Sequence, residues 1–131
     1  MTPLSSIGLG RRFRFGGRDY HVGQTYRFED LPQPTQEDVE IQFEGRHYTV
    51  EDCTYRLVII PYADLLANLD EECGPNLTDI LDDPDVKRLA RSIKRDGLHY
   101  PPVGEEGNHR RLAAVRLGMD IPEFIIECEE S

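Results

Sequence analysis

The feature that most constrains the fold is a short sequence pattern that occurs twice in the N-terminal half. Residues 15–22 and residues 43–50 share the pattern Phe-x-Gly-Arg-x-Tyr-x-Val. Both copies continue into Thr-Tyr-Arg, at residues 25–27 and 54–56, with one extra residue before it in the second copy. Two interpretations are open, namely two hairpins that need the same turn chemistry or a small internal duplication.

Both copies of the pattern have the residue alternation of a β-hairpin. Apolar and polar residues alternate on both sides of Gly16-Gly17, which predicts a hairpin over residues 11–23. The same alternation around Glu44-Gly45 predicts a second hairpin over residues 39–50. The N-terminal half is therefore expected to be rich in β-structure.

Residues 83–97 have the clearest helix signal in the chain. Asp83 can cap the helix, Pro84 suits its first position, and Gly97 stands where a helix commonly ends. Apolar residues recur between them at helical spacing, at Val86, Leu89, Ala90 and Ile93. Elsewhere in the C-terminal half, residues 56–60 and 124–126 have strand signals, and residues 63–69 and 109–117 have helix signals. The pattern predicts an α+β fold.

Length and charge restrict the partners. The 131 residues include 15 basic and 25 acidic side chains, for a formal net charge of −10. This length suits one domain with an appendage. A general DNA binder needs a basic surface to contact phosphates, so DNA is not the expected partner. A membrane is not expected either, because the sequence has no run of about 18 apolar residues.

Cysteine and histidine usage favours a protein of the reducing cytoplasm that holds no metal. The three cysteines are odd in number and far apart, so we expect no disulfide framework; they are Cys53, Cys73 and Cys128. The four histidines lack the spacing of paired ligands, so we expect no metal site; they are His21, His47, His99 and His109.

The segment Gly107-Asn-His-Arg-Arg111 directly precedes and opens a predicted helix. The unpaired N–H groups and the dipole of a helix N-terminus attract anions, and a glycine allows close approach of a ligand. Arg110 and Arg111 add guanidinium groups that match phosphate geometry, and His109 can donate or accept a proton near neutral pH. The alternative is a structural role, in which an arginine pairs with Glu105, Glu106 or another surface acid.

Several motifs follow one another in a fixed order between Val86 and Phe124. They are Leu89-Ala-Arg-Ser-Ile93, Gly97-Leu98, Pro101-Pro102-Val103, Gly107-Asn-His-Arg-Arg-Leu-Ala-Ala114, Leu117-Gly118 and Ile121-Pro122. The ordered set resembles the ParB/sulfiredoxin-like superfamily. The resemblance implies a ParB/sulfiredoxin-like nucleotide-binding domain over residues 55–127, after a β-hairpin-rich extension over residues 1–54 and before an acidic tail over residues 128–131.

The resemblance also implies a nucleotide pocket. In ParB-type domains the matching loop holds the phosphates of CTP with magnesium, and in sulfiredoxin and related kinases it holds those of adenine nucleotides. The expected ligand is therefore CTP or ATP, with Mg²⁺. The residues that match the phosphate loop, together with a polar residue of the preceding helix, are Gly107, Asn108, His109, Arg110, Arg111 and Ser92.

The chain departs from the family at points that limit its activity. Asn108 stands where sulfiredoxin has its catalytic cysteine, and because that chemistry needs a thiolate, sulfinic-acid reduction is excluded. Only three residues separate Val103 from Gly107. Two alternatives therefore remain, a pocket that is trimmed on one side and a site that is vestigial. No helix-turn-helix follows, so ParB-like reading of a DNA site is not expected.

Whether the chain is an enzyme stays open. A nucleoside triphosphatase or a kinase-like enzyme needs a base or a metal-binding carboxylate. The candidates are Asp64, Glu105 and Glu106, and the alternative for each is an ordinary surface acid.

Three functions compete. The favoured one is a ParB-like protein that binds nucleotide phosphates and could hydrolyse or transfer phosphate. The second is a non-catalytic interaction module with a vestigial pocket and a protein partner on the N-terminal hairpins. The third is a DNA-binding or ParB-like nuclease protein of a mobile element, with the arginines of residues 11–18 as its phosphate-facing stripe.

Overall fold

The computed structural model describes residues 8–32, 40–43, 45–103 and 108–128. Within these ranges the fold is α+β, as the sequence predicts. The strands are β1 (Arg12–Phe15), β2 (Arg18–His21), β3 (Thr25–Arg27), β4 (Glu40–Phe43), β5 (Arg46–Thr49), β6 (Cys53–Ile60) and β7 (Ile121–Cys128). The helices are α1 (Tyr62–Cys73), α2 (Leu77–Leu81), α3 (Pro84–Asp96) and α4 (Asn108–Leu117).

The chain forms two compact units. Unit 1 consists of Met1–Val58 and Phe124–Ser131, and unit 2 consists of Ile59–Glu123. The described α-helices lie in unit 2, and most of the strand residues lie in unit 1. None of the helices in the described ranges is long and apolar enough to span a membrane.

The two predicted hairpins of unit 1 are confirmed. β1 pairs antiparallel with β2, and β4 pairs antiparallel with β5, with Phe15 opposite Arg18 and Phe43 opposite Arg46. The residue directly before the second strand is a glycine in both, with φ of 82° at Gly17 and 79° at Gly45. A side chain is strained at positive φ, which explains why both copies of the pattern have glycine there.

The remaining strands of unit 1 form a three-stranded sheet in the order β3, β6, β7. β3 is antiparallel to β6, a pairing that the sequence did not predict because β3 has only three residues. The ring of Phe124 is completely buried and meets the rings of Tyr20 and Tyr26 edge-on, at centroid distances of 5.6 and 6.1 Å. These aromatic contacts join the first hairpin to the sheet.

Cys53 and Cys128 form a disulfide, so the expectation of no disulfide is wrong for this pair. Cys53 begins β6, Cys128 ends β7, and their Cα atoms are 4.4 Å apart. The two residues are 75 positions apart in sequence, and spacing alone cannot reveal that two distant strands become neighbours in one sheet. Cys73 is a free cysteine.

In unit 2 the predicted boundaries of α3 are confirmed. The side chain of Asp83 accepts a hydrogen bond from the backbone N–H of Asp85 at 2.8 Å, and Pro84 is the first helical residue. Gly97 ends the helix with φ of 84°. α1 is longer than the predicted helix over residues 63–69, and its first N–H, at Tyr62, donates to the carboxylate of Asp120 at 2.8 Å.

α3 and α4 pack closely because small side chains occupy their contact. Ala90 and Ile93 of α3 are buried with Ala113 of α4 in one apolar cluster. Arg116, near the end of α4, donates to the carbonyl of Leu81 at 2.9 Å and to the carboxylate of Asp82 at 3.1 Å. These contacts fix the later turns of α4 within unit 2.

Candidate functional site

A cavity of about 550 Å³ lies within unit 2. Its volume falls within the roughly 300–1,000 Å³ typical of small-molecule sites. Aliphatic side chains contribute its apolar lining, namely Ile60, Leu65 and Leu69. Amide, carboxylate and guanidinium groups contribute its polar lining, namely Asn68, Glu72, Asn108, Arg111 and Glu123.

One face of α1 supplies half of the described lining residues. Leu65, Asn68, Leu69 and Glu72 follow one another at intervals of three, one and three residues, which places them on the same side of a helix. Leu65 and Leu69 are buried, while Asn68 and Glu72 are exposed. The helix therefore presents an apolar base and a polar rim to the cavity.

The first turn of α4 supplies two residues of the predicted phosphate loop. Asn108 is the first residue of the helix, and Arg111 follows one turn later. Nη1 of Arg111 donates to the side-chain oxygen of Asn108 at 2.8 Å. This hydrogen bond orients both polar groups at the N-terminal end of α4.

Arg111 also forms an ion pair with Glu123 of β7. Its Nε lies 3.2 Å from both carboxylate oxygens, and its Nη2 lies 3.0 Å from Oε1. The side chain of Arg111 is 12% exposed and that of Glu123 is 14% exposed. A planar guanidinium that donates several hydrogen bonds to one carboxylate is a strong and geometrically specific pair. Arg111 thus pairs with a carboxylate, and the acid is Glu123.

The other residues predicted for the site are more scattered. Glu105, Glu106 and Gly107 lie outside the described residues. His109 is exposed and Arg110 is half-buried on α4, and neither belongs to the described lining of the cavity. Ser92 is half-buried on α3 and Asp64 is exposed in the first turn of α1, and the described lining includes neither of them.

The charged lining is acidic. Among the described lining residues, Glu72 and Glu123 carry negative charge and Arg111 carries positive charge. A polyanionic ligand would therefore bind more tightly together with cations that neutralise part of its charge. Within the described ranges, no group of three or more His, Cys, Asp or Glu side chains is arranged to hold a metal ion.

The arginines of the first hairpin pair partly with nearby acids. Arg14 lies 3.8 Å from Asp19 and Arg18 lies 3.9 Å from Asp30, both on the surface of unit 1. The guanidinium carbon of Arg11 lies 4.7 Å from the ring centroid of Phe13. Arg14 and Arg18 of the predicted phosphate-facing stripe thus have neighbouring acids that reduce its positive potential.

Sequence reasoning missed Glu123, Asn68 and Glu72. Asn68 and Glu72 have the helical spacing of Leu65 and Leu69, so the periodicity of α1 could have indicated them once the cavity was known. Glu123 has no such local signal, because its contact with Arg111 depends on where β7 lies in the fold.

No protein-family model matches the chain, and neither do any curated proteins or solved structures. The chemistry of the cavity therefore carries the functional argument.

Proposed function

We propose that the cavity of unit 2 binds a nucleotide, CTP or ATP, with its phosphates at the first turn of α4. The observation that carries the proposal is that Asn108 and Arg111 of the predicted loop line a cavity of ligand size. Polar side chains dominate the described lining, and Ile60, Leu65 and Leu69 supply its apolar part.

Helix chemistry supports the position of the phosphates. α4 has ten residues, so the positive end of its dipole and its first N–H groups lie at Asn108. A phosphate there is within the reach of Arg111, whose fork of donors suits phosphate oxygens. The sugar and the base would lie against the aliphatic wall formed by Ile60, Leu65 and Leu69.

The acidic lining supports a magnesium-bound nucleotide over a bare one. The described lining residues include two carboxylates and one guanidinium. Their net negative charge would repel free triphosphate. Mg²⁺ bridges phosphate oxygens and neutralises part of their charge. Hydrolysis or transfer of phosphate is a further part of the proposal, and among its predicted bases Asp64 is described but lies outside the described lining of the cavity.

The proposal includes a ParB/sulfiredoxin-like fold for residues 55–127, on the basis of the ordered motifs from Leu89 to Pro122. It also includes a cytoplasmic location, against which the Cys53–Cys128 disulfide is the opposing observation, since such bonds are rare in reducing compartments. Thiol trapping in the native cells tests the location. Alkylated Cys53 and Cys128 would support the cytoplasm, and an intact disulfide would contradict it.

Isothermal titration calorimetry with CTP, ATP and GTP, each with Mg²⁺, tests nucleotide binding. We expect measurable heat with CTP or ATP, and its loss in Arg111→Ala and in Asn108→Ala, the two residues of the predicted loop that line the cavity. Arg88→Ala is the matched control, because this exposed arginine on α3 pairs with Asp85 away from the described lining. The absence of heat with all three nucleotides at millimolar concentration would refute the proposal. A separate assay compares phosphate release by the wild type and by Asp64→Asn, and it measures the contribution of that carboxylate to hydrolysis.

One observation favours a second candidate, the non-catalytic interaction module. Arg111, which is predicted to bind phosphate, is already paired with Glu123, a carboxylate of the same chain. In that case a protein partner binds the hairpins of unit 1, and Arg110→Ala does not change its binding. Capture experiments on the full chain with and without that substitution separate the two functions.

A further inference from the structure

Glu123 holds Arg111 in the way an anionic ligand would. The carboxylate receives hydrogen bonds from Nε and Nη2 on one edge of the guanidinium, at 3.0–3.2 Å. Phosphates and carboxylates bind arginine through the same parallel donors. The carboxylate of Glu123 therefore occupies a position on Arg111 that a phosphate oxygen pair could take.

Both members of the pair face the same cavity. Arg111 and Glu123 each belong to its lining, and their side chains remain 12% and 14% exposed. A carboxylate at the cavity wall can turn toward solvent when it is displaced, so it need not become a buried unpaired charge. The Arg116–Asp82 pair of the same unit lies away from the described lining, which makes it a natural comparison.

We propose that Glu123 is a built-in competitor, which occupies Arg111 in the empty cavity and is displaced by the phosphate of the ligand. This inference rests on the proposed nucleotide site. It gives the cavity an autoinhibitory contact: each binding event must exchange one anion on Arg111 for another. Weak anions fail to displace Glu123, so the pair favours polyphosphates over single phosphates.

The released carboxylate predicts a second property of the site, a dependence of binding on Mg²⁺. After displacement, Glu123 lies near the phosphate, and the two negative charges repel each other unless a cation lies between them. Binding by the wild-type protein should therefore depend strongly on Mg²⁺. When the charge of Glu123 is removed, this dependence should weaken.

Calorimetry with inorganic triphosphate and with CTP, at several Mg²⁺ concentrations, tests the inference on the full chain. Glu123→Gln keeps the size of the side chain and removes its charge, and we expect it to bind triphosphate about tenfold more tightly than the wild type does. Glu123→Asp keeps the charge on a shorter side chain and should give an intermediate affinity. Asp82→Asn, which removes the charged partner of Arg116, should leave the affinity unchanged.

The outcomes separate the two proposals. If the wild-type protein binds CTP and Glu123→Gln binds triphosphate no more tightly than the wild type, the competitor role is overturned and the nucleotide site stands. If neither protein binds either ligand, both proposals are overturned. Tighter binding by Glu123→Gln with a weaker Mg²⁺ dependence, and an unchanged Asp82→Asn, supports the competitor role. Thermal unfolding of each variant checks that it is folded.

Discussion

Tyr26 lies directly opposite Tyr55 in the antiparallel pairing of β3 with β6, and the two tyrosines occupy equivalent positions in the two copies of the repeated pattern. On either side of this pair, the threonine of each copy faces the arginine of the other copy, Thr25 with Arg56 and Arg27 with Thr54. The two copies of the pattern therefore meet in one sheet at equivalent positions. The internal duplication itself stays a prediction of the sequence pattern.

The two tyrosines are nevertheless in different environments, and their substitutions should differ in cost. Tyr55 is 1% exposed and its hydroxyl donates to the carbonyl of Val50 at 2.8 Å. Tyr26 is half-buried and its hydroxyl accepts from the N–H of His21 at 2.8 Å. We expect Tyr55→Ala to lower the free energy of unfolding by about 3–5 kcal/mol, and Tyr26→Ala by about half as much. Urea denaturation measures both, and equal losses would contradict the expected difference in burial.

Tyr20 should make stability depend on alkaline pH. Burial, the largest effect, raises the pKa of Tyr20 above its usual 10.0, and its hydroxyl donates to the carbonyl of Asp30. The folded protein then holds this proton more tightly than the unfolded chain does. The resulting stability is fully present below pH 10 and is lost as the pH rises through the folded pKa.

Denaturation of the wild type and of Tyr20→Phe between pH 8 and about pH 11 measures this contribution. The variant lacks the ionisable hydroxyl, so its unfolding free energy should fall less steeply above pH 10. It should also be about 1 kcal/mol less stable at neutral pH, since the half-buried carbonyl of Asp30 loses its donor. Identical slopes in the two proteins would show that Tyr20 titrates normally.

Asp120 should act as an N-terminal cap for α1 although it lies far along the chain. Its carboxylate accepts from the N–H of Tyr62, at the end of α1 where the helix dipole is positive. We expect Asp120→Ala to cost about 1 kcal/mol. Asp64→Ala, in the exposed first turn of the same helix, is the control and should cost less. Chemical denaturation that ranks the two variants in the opposite order would contradict the cap.

Reduction of the Cys53–Cys128 disulfide should lower the melting temperature. A bond that closes a loop of this length stabilises the folded state by about 4 kcal/mol in the chain-entropy description. Cys53→Ser/Cys128→Ser should melt like the reduced wild type and should not respond to reductant. Cys73→Ser, which leaves the bond intact, should melt like the oxidised wild type. A wild-type melting temperature that reductant does not change would argue against the bond.

Elements with strong local signals could be predicted from the sequence. Asp83 and Gly97 bound α3 because capping and positive φ are properties of single residues and their neighbours. The glycine turns set both hairpins for the same reason. The pairing of β3 with β6 and the disulfide could not be predicted, since each joins segments whose proximity depends on the whole fold.

The same distinction divides the candidate site. Asn108 and Arg111 were predictable because they belong to one short segment that opens a helix. Glu123 was not, because its role depends on a contact between α4 and a strand that follows it. The domain boundaries at residues 54 and 127 remain a prediction of the sequence resemblance.

The path of the backbone gives the disulfide a consequence for limited digestion. The chain leaves unit 1 after Val58 and returns to it at Phe124, and the sulfur bridge joins Cys53 and Cys128 outside these two points. Residues 53–128 therefore form a covalent ring that includes all of unit 2. A protease that cuts this ring once opens it without releasing a fragment. The two pieces therefore remain one covalently linked molecule until the disulfide is reduced.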